Sequence, residues 1–152
     1  PKNDLLVLDQ FFGDNEYNIE NNNKYIANLK IIFVQRDPRD VYTFAKKNDV
    51  KWIPTDNLQL FIKWYKILLK NFPIAHSHVL NLKFEELVND YENSMEKITT
   101  FLEVCPDYHV HKKEIFDPRN SIKNIGIWRS HEDLKYDNTV IEDELSEYCY
   151  ND

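Results

Sequence analysis

The chain has 152 residues, of which 42% are hydrophobic, 14% aromatic and 30% charged, which fits one globular domain and excludes disordered and fibrous classes. No apolar run reaches the roughly 18 residues that a membrane span needs, and the polar N-terminus is not that of a signal peptide, so a soluble cytoplasmic protein is expected. The net charge of −7 argues against general nucleic-acid binding, and two cysteines, Cys105 and Cys149, imply no disulfide framework and no cysteine metal site.

In chain order, residues 4 to 9 open "DLLVLDQFF" with a short apolar run that predicts a strand, followed by the polar, Asn-rich loop "GDNEYNIENNNK". "LKIIFVQ", 29 to 35, is a continuous β-branched and aromatic run, the pattern of a strand buried on both faces and central in a sheet. Asp37-Pro38-Arg39-Asp40 then reads as a helix start, with Asp37 as cap, Pro38 in the first turn and Asp40 completing a capping-box-like pattern. The helix is expected from Pro38 to about Asn48. A second helix starts at Thr55 or Asp56, with Phe61, Trp64 or Tyr65, Leu68 and Phe72 on its apolar face. Its opposite face, Gln59, Lys63, Lys66 and Lys70, is expected to be plain solvent surface.

"HVLNLKF", 78 to 84, predicts a third strand, and residues 85 to 103 hold one or two helices carrying Leu87, Met95, Ile98 and Leu102. Residues 104 to 137 lack clear period. A last amphipathic helix, about 139 to 149, uses Ile141, Leu145 and Tyr148 or Cys149. Strands alternating with helices predict an α/β fold, a mostly parallel sheet flanked by helices in one domain spanning residues 1 to 152.

Charge is unevenly spread. From His131 to Asp152 there are eight carboxylates and one lysine, equal to the whole net charge, and this tail is expected to be a solvated, solubilising segment. From Lys112 to Arg129 five basic residues face two acidic ones, so a local anion site fits there. The chain has two glycines, Gly13 and Gly126, which excludes the glycine-rich loops GxGxxG and GxxxxGK[ST].

In open α/β sheets ligands bind beyond the carboxyl ends of the strands, where a helix N-terminus offers N–H groups and a positive dipole end. Arg36 lies at that junction, and its guanidinium adds a bidentate donor suited to phosphate or sulfate. The alternative is that Arg36 and Arg39 only pair with Asp37 and Asp40 as surface ions. A second element, "FDPRNSIKNIGIWRS", offers Ser121, Lys123, Asn124 and Arg129 as donors around Gly126 and Trp128. Such a loop can wrap a phosphate, with an aromatic to stack on a base; the plainer reading is a surface loop anchored by a buried Trp128.

"KIIFVQRDPRDVYTF", "VLNLKFEELVNDYENSMEKITTFLEV" and "SIKNIGIWR" together resemble, in order, the phosphate-binding strand–helix, the "YED" strand–helix and the C-terminal cofactor loop of sulfotransferases that use 3′-phosphoadenosine 5′-phosphosulfate. "DQFFGDN" and "WIPTDNLQLFIKWYK" are similar to a bacterial branch of that family. The resemblance spans about residues 4 to 130 and implies a P-loop-like architecture, with Arg36 on the cofactor's 3′-phosphate. A serine usually stands eight residues later; here that position is Phe44, and Thr43 beside it is the expected substitute. The aromatic of "YED" maps to Phe84, near the adenine. Gly126 and Trp128 map to the glycine and tryptophan of the last motif, and Ser121 and Lys123 stand in for a basic pair. Asn124 and Arg129 complete the expected cofactor contacts.

Nothing before Asp4 matches the Lys- and Ser/Thr-bearing loop with which the family grips the 5′-phosphosulfate. With Pro1 in place of an initiator methionine, the resemblance implies the C-terminal portion of a longer enzyme, or else a reduced relative that does not catalyse. In the family the base ends the strand before the arginine strand, so Asp9 is the candidate base; a carboxylate capping the next turn is the alternative. The implied function is sulfuryl transfer to a hydroxyl or amine acceptor on a carbohydrate, lipid or small metabolite, without a metal. The alternatives are a non-catalytic nucleotide- or anion-binding module and, less favoured without a Walker loop, a kinase-type phosphotransferase. His76/His78 and His109/His111 form two HxH pairs, for which no third metal ligand is placed by sequence.

Overall fold

The computed structural model describes residues 30–71, 77–105, 107 and 113–150. Expectations for the strand at 4 to 9, the base Asp9, the Asn-rich loop, Phe72, His76, His109 and His111 fall outside these residues. Strand β1 (Ile31–Gln35) leads through helices α1 (Pro38–Lys47) and α2 (Leu58–Asn71) to strand β2 (Val79–Lys83), followed by α3 (Phe84–Asn89) and α4 (Tyr91–Leu102). The segment read as aperiodic contains a short helix α5 (Pro118–Ser121) and 3-10 turns at Ile122–Asn124, Ile127–Ser130 and Glu132–Leu134. Helix α6 (Lys135–Glu144) starts four residues before the expected position, and a 3-10 turn, Ser146–Tyr148, replaces its last turn.

β1 and β2 are parallel, paired from Ile31↔Val79 to Gln35↔Lys83, and are the two strands among the described residues. This is an α/β arrangement with a small sheet. β1 corrects one expectation: none of its five residues is buried, and Val34 is 43% exposed. Among the described residues β1 has one strand neighbour, and of its five residues Phe33 packs on the core of α1, α2 and α6. The start of β1 is tied to the end of α4 by Lys30, whose Nζ donates to the Phe101 carbonyl at 2.6 Å and pairs with Glu103 at 2.9 Å.

The core joins Tyr42 and Ala45 of α1, Ile53 of the following connection, Phe61, Ile62, Tyr65 and Leu69 of α2, and Ile141 and Leu145. Tyr42 meets Phe61 edge to face at 5.0 Å, a geometry that adds to the burial of both rings. The buried stripe of α2 is thus 61, 62, 65 and 69; Trp64 and Leu68 lie at its margin, while Gln59, Lys63, Lys66 and Lys70 face outward as expected. Asn57, not Thr55 or Asp56, starts α2, its Oδ1 accepting from Leu60 N at 3.0 Å. A short polar side chain followed by a periodic apolar run is the general signal, and the residue nearest the run takes the cap.

The acidic tail is not merely solvated. Asp133 pairs with Lys47 at 2.6 Å, Asp137 with Lys46 at 3.2 Å, Glu142 with Arg39 at 3.2 Å and Glu144 with Lys66 at 2.8 Å. It is the counter-charge of the basic residues on α1 and α2. Its apolar positions Ile141 and Leu145 are fully buried among them.

Candidate functional site

The site is built at the carboxyl ends of β1 and β2. Two residues, Arg36 and Asp37, separate β1 from α1, so the Arg36 side chain starts where the strand ladder stops. Asp37 caps α1 as expected, its Oδ1 accepting from Arg39 N at 2.8 Å, with Pro38 in the first turn. The same carboxylate takes Arg39 Nε at 3.0 Å and Nη2 at 2.7 Å, a bidentate pair that is almost wholly buried. Asp40 does not complete a capping box. The N–H of Asp37 donates instead to Glu85 Oε1 at 3.3 Å, which fastens the first turn of α3 to the first turn of α1.

Asp40 is 1% exposed and acts at long range. Its Oδ2 accepts from Gly126 N at 2.7 Å and its Oδ1 from Trp128 N at 3.3 Å, so one carboxylate holds the loop that follows α5 against α1. Burial pushes its pKa up, although the two N–H bonds and the Arg36 charge favour the ionised form. Gly126 adopts φ +68°, and a Cβ there would meet Arg129 Nη1, so this turn requires glycine for its backbone.

Arg36 faces the same loop. Its Nη2 donates to the Asn124 carbonyl and lies 3.8 Å from Asp40 Oδ2. Its guanidinium carbon stands 4.9 Å from the Phe84 ring centroid and 5.8 Å from that of Phe44, within cation–π range. The backbone carbonyl of Arg36 accepts from Tyr65 OH at 2.6 Å, so α2 also fixes the turn. Arg36 Nε is buried and has no hydrogen-bond partner among the described residues. The two arginines do pair with the two aspartates, Arg39 with Asp37 as a buried pair and Arg36 with Asp40 as a longer, part-buried one, and neither is a surface ion pair.

Arg36, Phe84, Asn124, Gly126 and Trp128 therefore come together, through bonds that span up to 88 residues of sequence. Thr43 does not join them. It is fully buried and hydrogen-bonds to Asn138 of α6, Nδ2 to Oγ1 at 3.3 Å, because one helix position turns a side chain by about 100°. Phe44, 39% exposed, is the residue that faces Arg36. Ser121 is half-buried, and Lys123 points to solvent; neither reaches Arg36 in a direct bond. Trp128 is contacted by two guanidinium groups, Arg39 at 4.3 Å and Arg129 at 4.9 Å, so its ring is already engaged rather than open to a base. Beside it a cleft of about 200 Å³ is lined by Trp128, His131, Lys135, Asn138 and Glu142 among others. That is smaller than the roughly 300 Å³ at which small-molecule sites begin, room for a group and not for a nucleotide.

Sequence reasoning missed Asp40 as the loop's holder, Glu85 as the link between α1 and α3, and Tyr65 as the anchor of Arg36. The signals existed: a carboxylate four residues after Arg36, an acid straight after Phe84, and one hydroxyl within an apolar stripe. Each had a sufficient local explanation. Among the described residues no group of three or more His, Cys, Asp or Glu side chains could hold a metal ion, and no helix is long and apolar enough to cross a membrane. The Cys149 thiol is pushed up to about 12 by burial and by the Asp37 charge, which keeps it protonated at neutral pH. No family model, curated protein or solved structure matches this chain.

Proposed function

We propose that this chain is part of a sulfotransferase-like domain in which Arg36 and the Asn124–Trp128 loop hold the 3′-phosphate of 3′-phosphoadenosine 5′-phosphosulfate. The observation that carries the reading is the closing of that loop onto the strand-end arginine, through Asp40 and the Asn124 carbonyl. An arginine at the carboxyl end of a parallel strand, with its Nε unpaired and a glycine turn beside it, has the elements of a phosphate site. Phe84 supplies an aromatic at the end of β2, and the loop's Lys123 and Arg129 add positive charge at the rim. Sulfuryl transfer itself requires in-line positioning, a base at the acceptor and charge stabilisation on the leaving phosphate. Asp9 is proposed as the base, and the acceptor as a hydroxyl or amine on a carbohydrate, lipid or small metabolite.

A second reading, a nucleotide- or anion-binding module without chemistry, is favoured by one specific feature. Asp37, Asp40 and Glu85 all lie within electrostatic reach of Arg36, so even with Arg39 counted the carboxylates outnumber the guanidinium groups and the arginine's charge is already spent on the protein. The experiment that separates the two is release of 3′-phosphoadenosine 5′-phosphate from the phosphosulfate donor in the presence of a panel of sugar, lipid and amine acceptors. Acceptor-dependent release supports transfer. Binding of the nucleotide without release under any acceptor supports the module.

A further inference from the structure

After α6 the chain turns through Ser146–Tyr148 and returns to the strand ends, where Tyr150 is held by its backbone from two sides. Its N–H donates to Asp37 Oδ2 at 3.0 Å, and its carbonyl accepts from Arg39 Nη2 at 3.0 Å. The buried Asp37–Arg39 pair thus anchors the main chain and leaves the side chain to lie over Lys83, whose Nζ is 4.6 Å from the ring centroid at the end of β2. The hydroxyl at the tip of that ring is buried and unpaired among the described residues. Two other atoms at the same strand ends share this condition, Arg36 Nε and Glu85 Oε2. Asp37 links the three groups, being next to Arg36 in the chain and bonded to both Glu85 and Tyr150.

Buried polar atoms are normally paired, and a side chain that belongs permanently in a core satisfies what it covers. Here a donor, an acceptor and a hydroxyl, on side chains gathered around Asp37, are each buried and none is satisfied. We infer that the Tyr150 side chain is a displaceable cover over a polar subsite at the ends of β1 and β2, which takes a phosphate group flanked by a hydroxyl, as on the phosphorylated ribose of a nucleotide. The phosphate accepts from Arg36 Nε, and the hydroxyl donates to Glu85 Oε2. Rotation of the Tyr150 side chain is sufficient to open it, since the backbone grip by Asp37 and Arg39 does not involve the ring. The inference rests on the reading that Arg36 holds a phosphate, and it adds a competitor for that position from within the chain.

The test is titration calorimetry of 3′-phosphoadenosine 5′-phosphate with the full chain and with Tyr150→Ala and Tyr150→Phe, alongside urea unfolding of the same proteins. A cover that is closed most of the time lowers apparent affinity by the fraction open, so Tyr150→Ala should bind about tenfold tighter than the parent. Tyr150→Phe keeps the ring and removes the unpaired hydroxyl; it should be at least as stable as the parent and bind no tighter. Equal or weaker binding by Tyr150→Ala, with the parent binding measurably, overturns the cover while leaving the phosphate reading intact. Loss of stability in Tyr150→Phe shows that the hydroxyl has a structural partner and overturns the cover without any ligand. Absence of binding in all three proteins overturns both.

Discussion

Asp40 carries more of the site than its place in a helix start suggests, because both of its oxygens are committed to N–H groups 86 and 88 residues away. Asp40→Ala leaves those two donors and the Arg36 charge without their carboxylate, and should cost about 2–4 kcal/mol in urea unfolding, above the roughly 1 kcal/mol of a lost helix cap. The sign of its pH dependence also follows. Burial raises the pKa above the ordinary 3.8, so just above that value the folded state holds the proton more tightly than the unfolded state. Stability contributed by Asp40 therefore falls as pH rises through that window. Asp40→Asn, which has no proton to lose, should flatten the slope there; an unchanged slope would assign it to another group. Phe44 is the other decisive residue. Since it and not Thr43 faces Arg36, Phe44→Ser should strengthen phosphate binding, while Thr43→Val should leave binding unchanged and cost stability by removing the acceptor of the Asn138 bond.

At the scale of elements, α6 is held by two kinds of contact of unequal weight. Ile141 and Leu145 are fully buried between α1 and α2, whereas the ion pairs of Asp133, Glu142 and Glu144 have exposed carboxylates. Large-to-small core substitutions cost about 2–5 kcal/mol and exposed ion pairs about 0–1 kcal/mol. Ile141→Ala should accordingly destabilise the chain several-fold more than Glu144→Gln, whose small effect should vanish at 1 M salt. A large, salt-sensitive loss in Glu144→Gln would reverse that ranking. The tripeptide Asp-Pro-Arg shows how context changes an element's value. It starts α1 and α5 with the same local geometry, aspartate to arginine N–H and guanidinium in each case, but the first ion pair is buried and grips the Tyr150 backbone, whereas in the second the arginine is exposed. Only the first positions the candidate site.

Across the whole molecule, what was legible in the sequence was what depends on neighbours along the chain. The Asp37 cap, Pro38 in the first turn, the span of β2 and the outward lysines of α2 follow from short-range pattern, and the structure agrees with each. The β-branched run of β1 indicated a strand and overstated its burial, because a face is covered by whatever packs there and the run itself does not specify that. The stripe of α2 came out one position off, since Phe61-Ile62 and Trp64-Tyr65 are adjacent apolar pairs and periodicity alone does not choose between the members. Ion pairing of the acidic tail was not legible, as it links residues from 78 to 103 apart in the chain. Of the candidate site, the pairing of Arg36 with the glycine loop was anticipated through the family resemblance, and its carboxylate holder was not.

The central claim is that Arg36 with its loop forms a phosphate half-site. Its most direct test is calorimetric binding of 3′-phosphoadenosine 5′-phosphate to the full chain and to Arg36→Ala. Measurable binding that weakens by about 1.5–3 kcal/mol on loss of the guanidinium, the scale of a charged hydrogen bond, is the result expected. Binding of the same strength in Arg36→Ala, or none in the parent and in Tyr150→Ala, would contradict it.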